Sequence, residues 1–206
     1  MIRLRQRKPL PDRSFIITFD DGYQTVYDQA FLVLQRYNML ATVFLTVREK
    51  GPAKPTDPLP SHNGRPMLSW SEMQEMHRFG ITFGAHTQTH PNLGRLPVDQ
   101  VETQIFESKA VIEEALGIPV TCFTYPLGRY NHWIRELVKQ KFTCACSDRL
   151  GFVHAKSNLY ALERVDAYYL RTKKLFDLLL TGLFPWYIRT RSIPRWVRRT
   201  IQNSLG

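Results

Sequence analysis

The chain has 206 residues, which is enough for one domain with a sizeable core and short for two. Hydrophobic residues make up 43% of it and charged residues 22%, proportions that exclude an intrinsically disordered chain. Lys and Arg number 28 against 18 Asp and Glu, so the net charge is +10, which favours an anionic partner such as phospholipid, nucleic acid or an acidic polysaccharide.

The cysteine pattern and the lack of a predicted apolar leader segment give an expectation for the cellular compartment of the protein. Cys122, Cys144 and Cys146 lie in apolar, strand-like segments without a CxxC pair, which predicts buried reduced thiols rather than a zinc ribbon or a redox motif. Residues 1–13 are basic, but no apolar leader follows them, and no stretch is long enough to span a bilayer. We expect a cytoplasmic or membrane-peripheral protein, with an extracellular or periplasmic location left open.

The first predicted strand is the apolar run from Phe15 to Phe19, which ends at Asp20, Asp21 and Gly22. Asp is unfavourable inside strands and costly to bury unpaired, so this pair needs a cation, a donor network or open water. An ordinary turn is the alternative interpretation. Because neighbours on an extended backbone point in opposite directions, the pair suits a division of labour, with one Asp on a metal and the other facing the reactive water.

Helices and strands alternate after this turn. A helix is predicted over residues 24–37, with an apolar stripe formed by Ala30, Phe31, Val33, Leu34 and Tyr37. Ser69 and Glu72 form a capping box at the start of a helix over 69–79. The other predicted elements are strands over 41–47, 81–85, 120–124, 142–146 and 160–165, helices over 97–116 and 131–140, and a proline-rich loop over 51–66.

This alternation predicts an α/β fold with parallel strands, either a barrel or a doubly wound sheet. In both architectures the reactive groups collect at the carboxyl ends of the strands. Several polar residues fall at such ends and predict one composite site. They are Asp20, Asp21, His86, Arg164 and the segment 125–130.

His86 and His90 are four residues apart, and on a helical turn they would lie on one face within reach of one ion. Imidazole is the commonest metal ligand in proteins, and two imidazoles with one carboxylate leave a coordination position open. Asp21 is the natural third ligand. The alternative is a pair of surface histidines on a loop.

Three segments resemble, in order, the first three motifs of the polysaccharide deacetylase (NodB-homology, carbohydrate esterase) family. They are residues 18–22 (Thr-Phe-Asp-Asp-Gly), 86–91 (His-Thr-Gln-Thr-His-Pro) and 123–131 (Phe-Thr-Tyr-Pro-Leu-Gly-Arg-Tyr-Asn). The third is similar to the Tyr-Pro-x-Gly variant of one branch. The resemblance covers roughly residues 14 to 166. It implies a distorted (β/α) barrel of about seven parallel strands and metal-dependent removal of N-acetyl groups from amino sugars.

The resemblance also implies roles for individual residues. Asp21, His86 and His90 would hold a divalent metal, most often zinc, that activates the attacking water. Asp20 would be the general base. The backbone N–H of Leu127 would help to hold the oxyanion. Tyr125 and Tyr130 would line the sugar site, with packing at a barrel rim as the equal alternative for both tyrosines.

Two family residues are replaced in this chain. Thr124 stands where the commoner motif has an Arg that orients the base, and Arg164 or Arg129 would supply the guanidinium, with Arg164 preferred because it lies in the place of the last motif. The usual general-acid His is also missing from residues 161–166. His154 is the nearby candidate, and protonation of the leaving amine by Asp20 itself is the alternative.

The chain from Arg171 onward resembles no part of the family core, so we expect a catalytic domain over 1–170 and a basic helical extension of it over 171–206. Residues 175–180 predict an amphipathic helix. Five arginines follow among apolar residues: Arg189, Arg191, Arg195, Arg198 and Arg199. Such a segment suits an anionic membrane surface, while a closing helix that packs on the domain is the favoured alternative. No nucleic acid is expected, because no recognition motif accompanies the charge.

The first functional hypothesis is therefore a metal-dependent carbohydrate N-deacetylase acting on an N-acetylated glycan, with zinc as the expected metal. A related alternative is a hydrolase of another non-peptide C–N bond, such as a cyclic amide or imide. The alternative from another class is a catalytically weak glycan-binding or membrane-peripheral protein of the same fold.

Overall fold

The computed structural model describes residues 2–11, 14–48, 57–179 and 181–192. The α-helices among them are α1 (Ile2–Arg5), α2 (Leu32–Arg36), α3 (Trp70–Phe79), α4 (Val98–Leu116), α5 (His132–Lys141) and α6 (Lys173–Leu179). The strands are β1 (Ile17–Phe19), β2 (Ala41–Leu45), β3 (Thr82–Ala85), β4 (Cys122–Thr124), β5 (Cys144–Leu150) and β6 (Leu162–Arg164). A π-helix covers Val26–Phe31, and 3-10 helices cover Leu93–Arg95, Pro126–Gly128 and Ala167–Leu170.

The chain forms two compact units, one from residues 11–145 and a smaller one from residues 1–10 and 146–206. In the larger unit the four strands β1 to β4 are parallel and lie in chain order, with Val43 opposite Phe83 and Ala85 opposite Phe123. In a doubly wound sheet the strand order reverses at one point, whereas in a (β/α) barrel each strand is added beside the previous one. The order of β1 to β4 does not reverse, so it matches a barrel. Their carboxyl ends therefore meet at one edge.

Local sequence explains where the helices of the larger unit begin and end. The Ser69 hydroxyl accepts a hydrogen bond from Glu72 N, and the Glu72 carboxylate accepts one from Ser69 N at 2.7 Å, so the predicted capping box is confirmed. Gly80 ends α3 in the left-handed conformation. Helix α5 starts where the Asn131 side chain accepts a hydrogen bond from Ile134 N at 2.9 Å.

The sheet and helices enclose an apolar core, because the central strands are hydrophobic on both faces. Its fully buried members come from β2, β4, α3 and α4, and include Val43, Leu45, Phe123, Met73, Met76, Ile105 and Ile112. The helix predicted over 97–116 is observed as α4, which buries Val101, Ile105 and Ile112 in this core.

Two predictions about burial near the amino terminus are wrong. Phe15 and Ile16 are 70% and 71% exposed, and β1 covers only Ile17–Phe19, because β1 pairs with β2 alone among the described strands of this unit. In the helix predicted over 24–37, Val33 and Tyr37 are exposed rather than part of the apolar stripe. The π-helix over Val26–Phe31 explains this, since its wider turn rotates the residues that follow.

The smaller unit pairs β6 with β5 in parallel, with Cys146 opposite Leu162 and a register shift before Leu150. Residues 184–192 are helical, and Phe184 and Ile188 are buried against Leu150. This contact agrees with the packing alternative for this part of the extension. Arg195, Arg198 and Arg199 lie outside the described residues, so the interfacial interpretation stays a prediction.

The three cysteines are free thiols, but burial is complete only for Cys144, while Cys122 and Cys146 are half-buried. The Cys144 thiol donates to the Cys122 sulfur at 3.2 Å across β5 and β4. Among the described helices, none has the length and apolar character needed to cross a bilayer.

The parallel α/β architecture predicted from the sequence is confirmed, with six strands in the described residues where about seven were expected. Seven predicted segments of strand or helix also agree in type with the observed ones to within a few residues. They are 41–47, 69–79, 81–85, 97–116, 120–124, 131–140 and 160–165.

Gly84 in β3 is expected to be essential to sheet packing. A Cβ at this position would lie 2.5 Å from Phe44 Cδ1 and 2.9 Å from the Cys122 carbonyl oxygen. Gly84→Ala should therefore destabilise the protein by about 1–3 kcal/mol, the usual cost of overpacking. The measurement is the urea unfolding midpoint. Gly94→Ala is the matched control, because the nearest atom to its Cβ would be at an ordinary 3.5 Å. Equal midpoints for the two variants would contradict the packing argument.

Candidate metal centre and active site

The Asp-Asp-Gly turn follows β1 directly. Asp21 has a φ of 73° and Gly22 a φ of 85°, so Asp21 is left-handed and not on the extended backbone that the sequence argument assumed. A Cβ on Gly22 would lie 2.7 Å from Leu45 Cδ2, which explains why glycine follows the acids. The turn is fixed on two sides, since Asp21 O accepts from Thr46 N at 3.1 Å and Gly22 O accepts from Leu68 N at 3.0 Å.

The segment from His86 to His90 is a tight loop rather than the helical turn that was predicted. Thr87 and His90 have φ values of 68° and 57°. The Thr87 hydroxyl accepts a hydrogen bond from His90 N at 3.1 Å, which closes the loop on itself. The side chain of Gln104 on α4 accepts from the backbone N–H groups of residues 88 and 89. These bonds hold the loop in a shape in which both imidazoles lie on the side that faces Asp21, although the backbone is not helical.

The two imidazoles and Asp21 converge as predicted. His86 Nε2 and His90 Nε2 each lie 3.5 Å from Asp21 Oδ1. The three ligand atoms all lie within 4.8 Å of one another, a separation that lets all three contact a single metal ion. The two rings meet edge to face, with centroids 4.7 Å apart.

The chemistry of this donor set fits a divalent metal. Asp21 Oδ1 is buried and has no hydrogen-bond partner among the described residues, an arrangement that is costly for a carboxylate oxygen without a cation. His86 Nδ1 donates to the Thr124 carbonyl at 2.8 Å, which leaves the lone pair of Nε2 facing Asp21. Two imidazole nitrogens and one carboxylate form a ligand set used by catalytic zinc.

Electrostatics keep His86 in the form that binds metal. Burial lowers the pKa of the His86 imidazole, the nearby His90 lowers it further, and the negative charge of Asp20 opposes the shift. A neutral imidazole is the ligand form, so the lowered pKa favours metal binding. The half-buried Asp20 directly precedes Asp21 in the turn and so lies beside the centre.

His62 lies beside the centre and was not singled out from the sequence, which predicted only a loop over 51–66. Residues 51–56 lie outside the described residues, but His62 and Arg65 pair as a short hairpin, with N···O distances of 3.2 and 2.9 Å. Asn63 and Gly64 have φ values of 52° and 71°, as the type I′ turn requires. The Asn-Gly pair was the available sequence signal for this hairpin.

The hairpin places the His62 ring against the metal ligands. His62 is only 4% exposed, and its ring centroid is 5.2 Å from that of His90 and 5.9 Å from that of Tyr23. Burial lowers the pKa of His62, while the carboxylate of Asp21 raises it. The imidazole is therefore part of the wall of the centre, although it is not among the three converging ligands.

The third motif lies at the end of β4. Tyr125 is buried, stacked on Tyr130 at 4.4 Å and in edge contact with Phe123. These contacts are those of the packing alternative, and Tyr130 is the more accessible of the two tyrosines. Leu127 has a φ of 56° and a side chain that is 57% exposed, so its backbone rather than its side chain is held in a special conformation.

Arg164 and His154 belong to the smaller unit. Arg164 lies on β6, and its Nε donates to the Ser147 carbonyl at 3.1 Å. His154 is exposed, and its Nδ1 accepts a hydrogen bond from Lys156 N at 3.3 Å. Their suggested roles, orienting Asp20 and protonating the leaving amine, stay predictions.

Comparison with known proteins agrees with this arrangement. The family model described as polysaccharide deacetylase matches residues 7–142, which include all three motifs. The chain belongs to the polysaccharide deacetylase family. The Bacillus subtilis protein YxkH, whose name places it among polysaccharide deacetylases, is 30% identical over 165 residues, and the match covers 80% of this chain and 55% of YxkH.

A poly-beta-1,6-N-acetyl-D-glucosamine N-deacetylase of Staphylococcus epidermidis is 37% identical over 87 residues, which cover 42% of this chain and 28% of that enzyme. The matched part of the chain thus spans about half the length of YxkH and 28% of the length of the staphylococcal enzyme. Among solved structures, the Streptococcus pyogenes deacetylase PplD, in complex with acetate, has a TM-score of 0.65 at 26% identity, covering 76% of this chain and 66% of PplD. This likeness supports the deacetylase-type (β/α) barrel.

We expect zinc to bind the three converging ligands with a stoichiometry of one per chain. Asp21→Asn and His90→Ala should each weaken zinc binding by more than about 100-fold, because even partners outside the ligand set contribute 10- to 100-fold. Isothermal titration with Zn²⁺ measures this. The exposed His132 provides a control, since His132→Ala removes an imidazole that is not one of the three converging ligands. Unchanged affinity in Asp21→Asn would refute the assignment.

The buried His86 predicts a pH dependence of stability in chelator-treated protein. Its pKa is lowered, so below about pH 6.5 the unfolded chain takes up a proton that the folded chain does not. The free energy of unfolding should then fall as the pH drops from about 6.5 towards the folded-state pKa, with a slope of up to about 1.4 kcal/mol per pH unit, and level off below it.

Urea unfolding of wild type and His86→Asn between pH 5 and 8 would isolate this component. The pKa of His62 is also lowered and has the same sign of effect, but His62 is present in both proteins, so the difference reports His86. Identical slopes in the two proteins would show that His86 is not held neutral by the fold.

Proposed function

We propose that the chain is a metal-dependent hydrolase that removes N-acetyl groups from N-acetylated amino sugars of a polysaccharide or glycoconjugate. The observation that carries this is the convergence of the His86 and His90 imidazoles on a buried Asp21 oxygen that has no hydrogen-bond partner among the described residues, directly after Asp20 in the chain. The family membership and the names of the staphylococcal enzyme and of PplD support it. Zinc is the proposed metal, because it is commonly held by imidazole nitrogen and carboxylate oxygen.

The metal-binding residues have separate tasks in this proposal. When bound, the divalent ion would lower the pKa of a water and polarise the carbonyl of the acetamide. His86 is oriented by its hydrogen bond to the Thr124 carbonyl, so its Nε2 faces Asp21 and would be one of the ligands of the ion. The left-handed backbone at Asp21 and His90 presents their side chains from two different loops.

Asp20 is the proposed proton acceptor. As the water oxygen forms its bond to the acyl carbon, the Asp20 carboxylate takes the proton of that water. The C–N bond then breaks as the nitrogen takes a proton, either the one held by Asp20 or one from His154, and the amine and acetate are released. Asp20 is suited to this task because it is near His86 but is not one of the three converging ligands.

The negative oxygen that forms during attack needs a donor. The backbone N–H of Leu127 is proposed for this, because the 3-10 helix over Pro126–Gly128 is interrupted at Leu127 by a left-handed residue. Such a conformation is strained in a non-glycine residue and is typical of functional sites. The exposed Leu127 side chain and the partly accessible Tyr130 would then border the sugar.

Acetate release from N-acetylglucosamine oligomers by zinc-loaded protein tests the proposal. Asp20→Asn should lower kcat by about 100- to 10,000-fold, the usual contribution of a general base, while zinc binding persists. The exposed Asp99 at the start of α4 offers the same substitution away from the site, and Asp99→Asn should keep full activity.

Two outcomes would count against the proposal. Wild-type activity in Asp20→Asn would show that Asp20 is not the general base. Tight stoichiometric zinc with no acetate released from any N-acetylated sugar would instead favour another C–N bond as substrate, or a glycan-binding protein without catalysis.

A further inference from the structure

Two of the three cysteines are in contact, although they are far apart in the sequence. The Cys144 thiol donates to the Cys122 sulfur at 3.2 Å. The residues directly before them are joined as well, since Thr143 N donates to the Thr121 carbonyl at 2.8 Å and the Thr143 hydroxyl donates to the same carbonyl at 3.1 Å. All four residues belong to the larger compact unit. The fold therefore creates a pair of thiols that the spacing of the cysteines did not reveal, and the proposed reaction uses neither of them.

The two sulfurs are close enough to be joined with little rearrangement. The S–S bond of a disulfide is about 2.0 Å long, so the sulfurs, now 3.2 Å apart, need to approach by only about 1 Å. Neighbouring strands of a sheet are about 4.8 Å apart, which lies inside the range of Cα separations that a disulfide can bridge. The backbone bond between Thr143 and Thr121 holds the two strands together directly before the pair. Closure of the bond therefore requires rotation of side chains rather than movement of a strand.

The two thiols differ in accessibility and in reactivity. Cys144 is only 3% exposed, whereas Cys122 is half-buried. The hydrogen bond from the Cys144 thiol lowers the pKa of Cys122 from 9.0 to about 6, burial opposes the shift, and the Thr121 hydroxyl adds to it. A thiolate is the nucleophilic form of cysteine. Cys122 thus has the properties of the thiol that an oxidant meets first, and Cys144 those of the thiol that resolves the product.

We propose that Cys122 and Cys144 are a peroxide-reactive pair that closes to a reversible intramolecular disulfide between β4 and β5. The Cys122 sulfur attacks one peroxide oxygen, the O–O bond breaks, hydroxide leaves and a sulfenic acid forms. The Cys144 sulfur then attacks the Cys122 sulfur, the S–O bond breaks and water leaves. The peroxide is reduced, the two thiols are oxidised, and both thiol protons end in the two water molecules that form.

The disulfide would close the segment that carries the third motif. Leu127, Tyr130 and the whole of α5 lie between the two cysteines. Thr124, two residues after Cys122, is the residue whose carbonyl accepts the hydrogen bond from His86 Nδ1. Because a crosslink reduces the conformational freedom of the unfolded chain, oxidation should stabilise this segment beside the metal ligands without adding a group to the site. The inference does not depend on the proposed function.

Thiol alkylation after treatment with hydrogen peroxide tests the proposal. The full chain, loaded with zinc and reduced with dithiothreitol that is then removed, is treated with one equivalent of peroxide, unfolded and alkylated with iodoacetamide. The wild type should lose two of its three alkylatable thiols and remain monomeric, with Cys122 joined to Cys144 in the peptide map, and dithiothreitol should restore both thiols. Absence of this link, or a link through Cys146, would overturn the proposal.

Single substitutions separate the roles of the two thiols. Cys146→Ala is the matched control, because it removes another half-buried thiol of β5 and should still allow the disulfide to form. Cys144→Ala should stop the reaction at a sulfenic acid on Cys122, which dimedone traps. Cys122→Ala should leave the buried Cys144 thiol unreacted after the same treatment. Trapping of a sulfenic acid on Cys144 at the wild-type rate of peroxide consumption would contradict the assignment of Cys122 as the first thiol to react.

Unfolding of the oxidised protein provides a second measurement. Oxidised wild type should unfold at a higher urea concentration than reduced wild type, whereas the same treatment should leave the midpoint of Cys122→Ala unchanged. A lower midpoint after oxidation would show that the strands do not accommodate the bond, and would also overturn the proposal. Acetate release enters neither measurement, so a failure of the proposed deacetylase activity leaves this result unaffected.

Discussion

The structure around the site depends on one buried carboxylate oxygen. Asp21 Oδ1 lies 3.5 Å from each of two imidazole nitrogens and receives no hydrogen bond from the described residues. Without a hydrogen bond or a cation this oxygen would destabilise the folded protein, because a buried charge needs a partner. Among the described residues, Thr46 N and Leu68 N donate to carbonyl oxygens of the turn, and the N–H groups of residues 88 to 90 donate to the side chains of Gln104 and Thr87, so none of them reaches Asp21 Oδ1.

The same carboxylate explains why strain is concentrated here. Left-handed backbone occurs at Asp21, Thr87, His90 and Leu127, and each non-glycine residue of this kind costs about 1–3 kcal/mol. Parallel strand pairing offsets the cost by fixing both loops, since Thr46 N donates to Asp21 O and His86 N to Leu45 O. Both bonds come from the end of β2, which lies between β1 and β3. The middle strand thus sets the position of the ligands contributed by its two neighbours.

The sequence was most informative where local chemistry decides the structure. The carboxyl ends of β1, β3 and β4, the capping box at Ser69 and the convergence of Asp21, His86 and His90 follow from residue type and spacing, and each is found where predicted. It was least informative where a backbone departs from the regular period. The π-helix before α2 turned Val33 outwards, and the H-x3-H pair converges from a loop rather than a helix. His62 was missed because its position depends on a hairpin whose pairing with the Asp21 turn is a long-range contact.

Residues of the sequence motifs and residues of the connecting loops give different information about function. Asp20, Asp21 and His86 follow strand ends, and with His90 they lie within the residues that the family model matches, so they favour a reaction type but no particular glycan. Residues beside them that come from connecting loops are free to differ between relatives without disturbing the sheet. His62 is held by a type I′ hairpin and Arg48 by one backbone bond to Gln88, and neither is one of the three converging ligands.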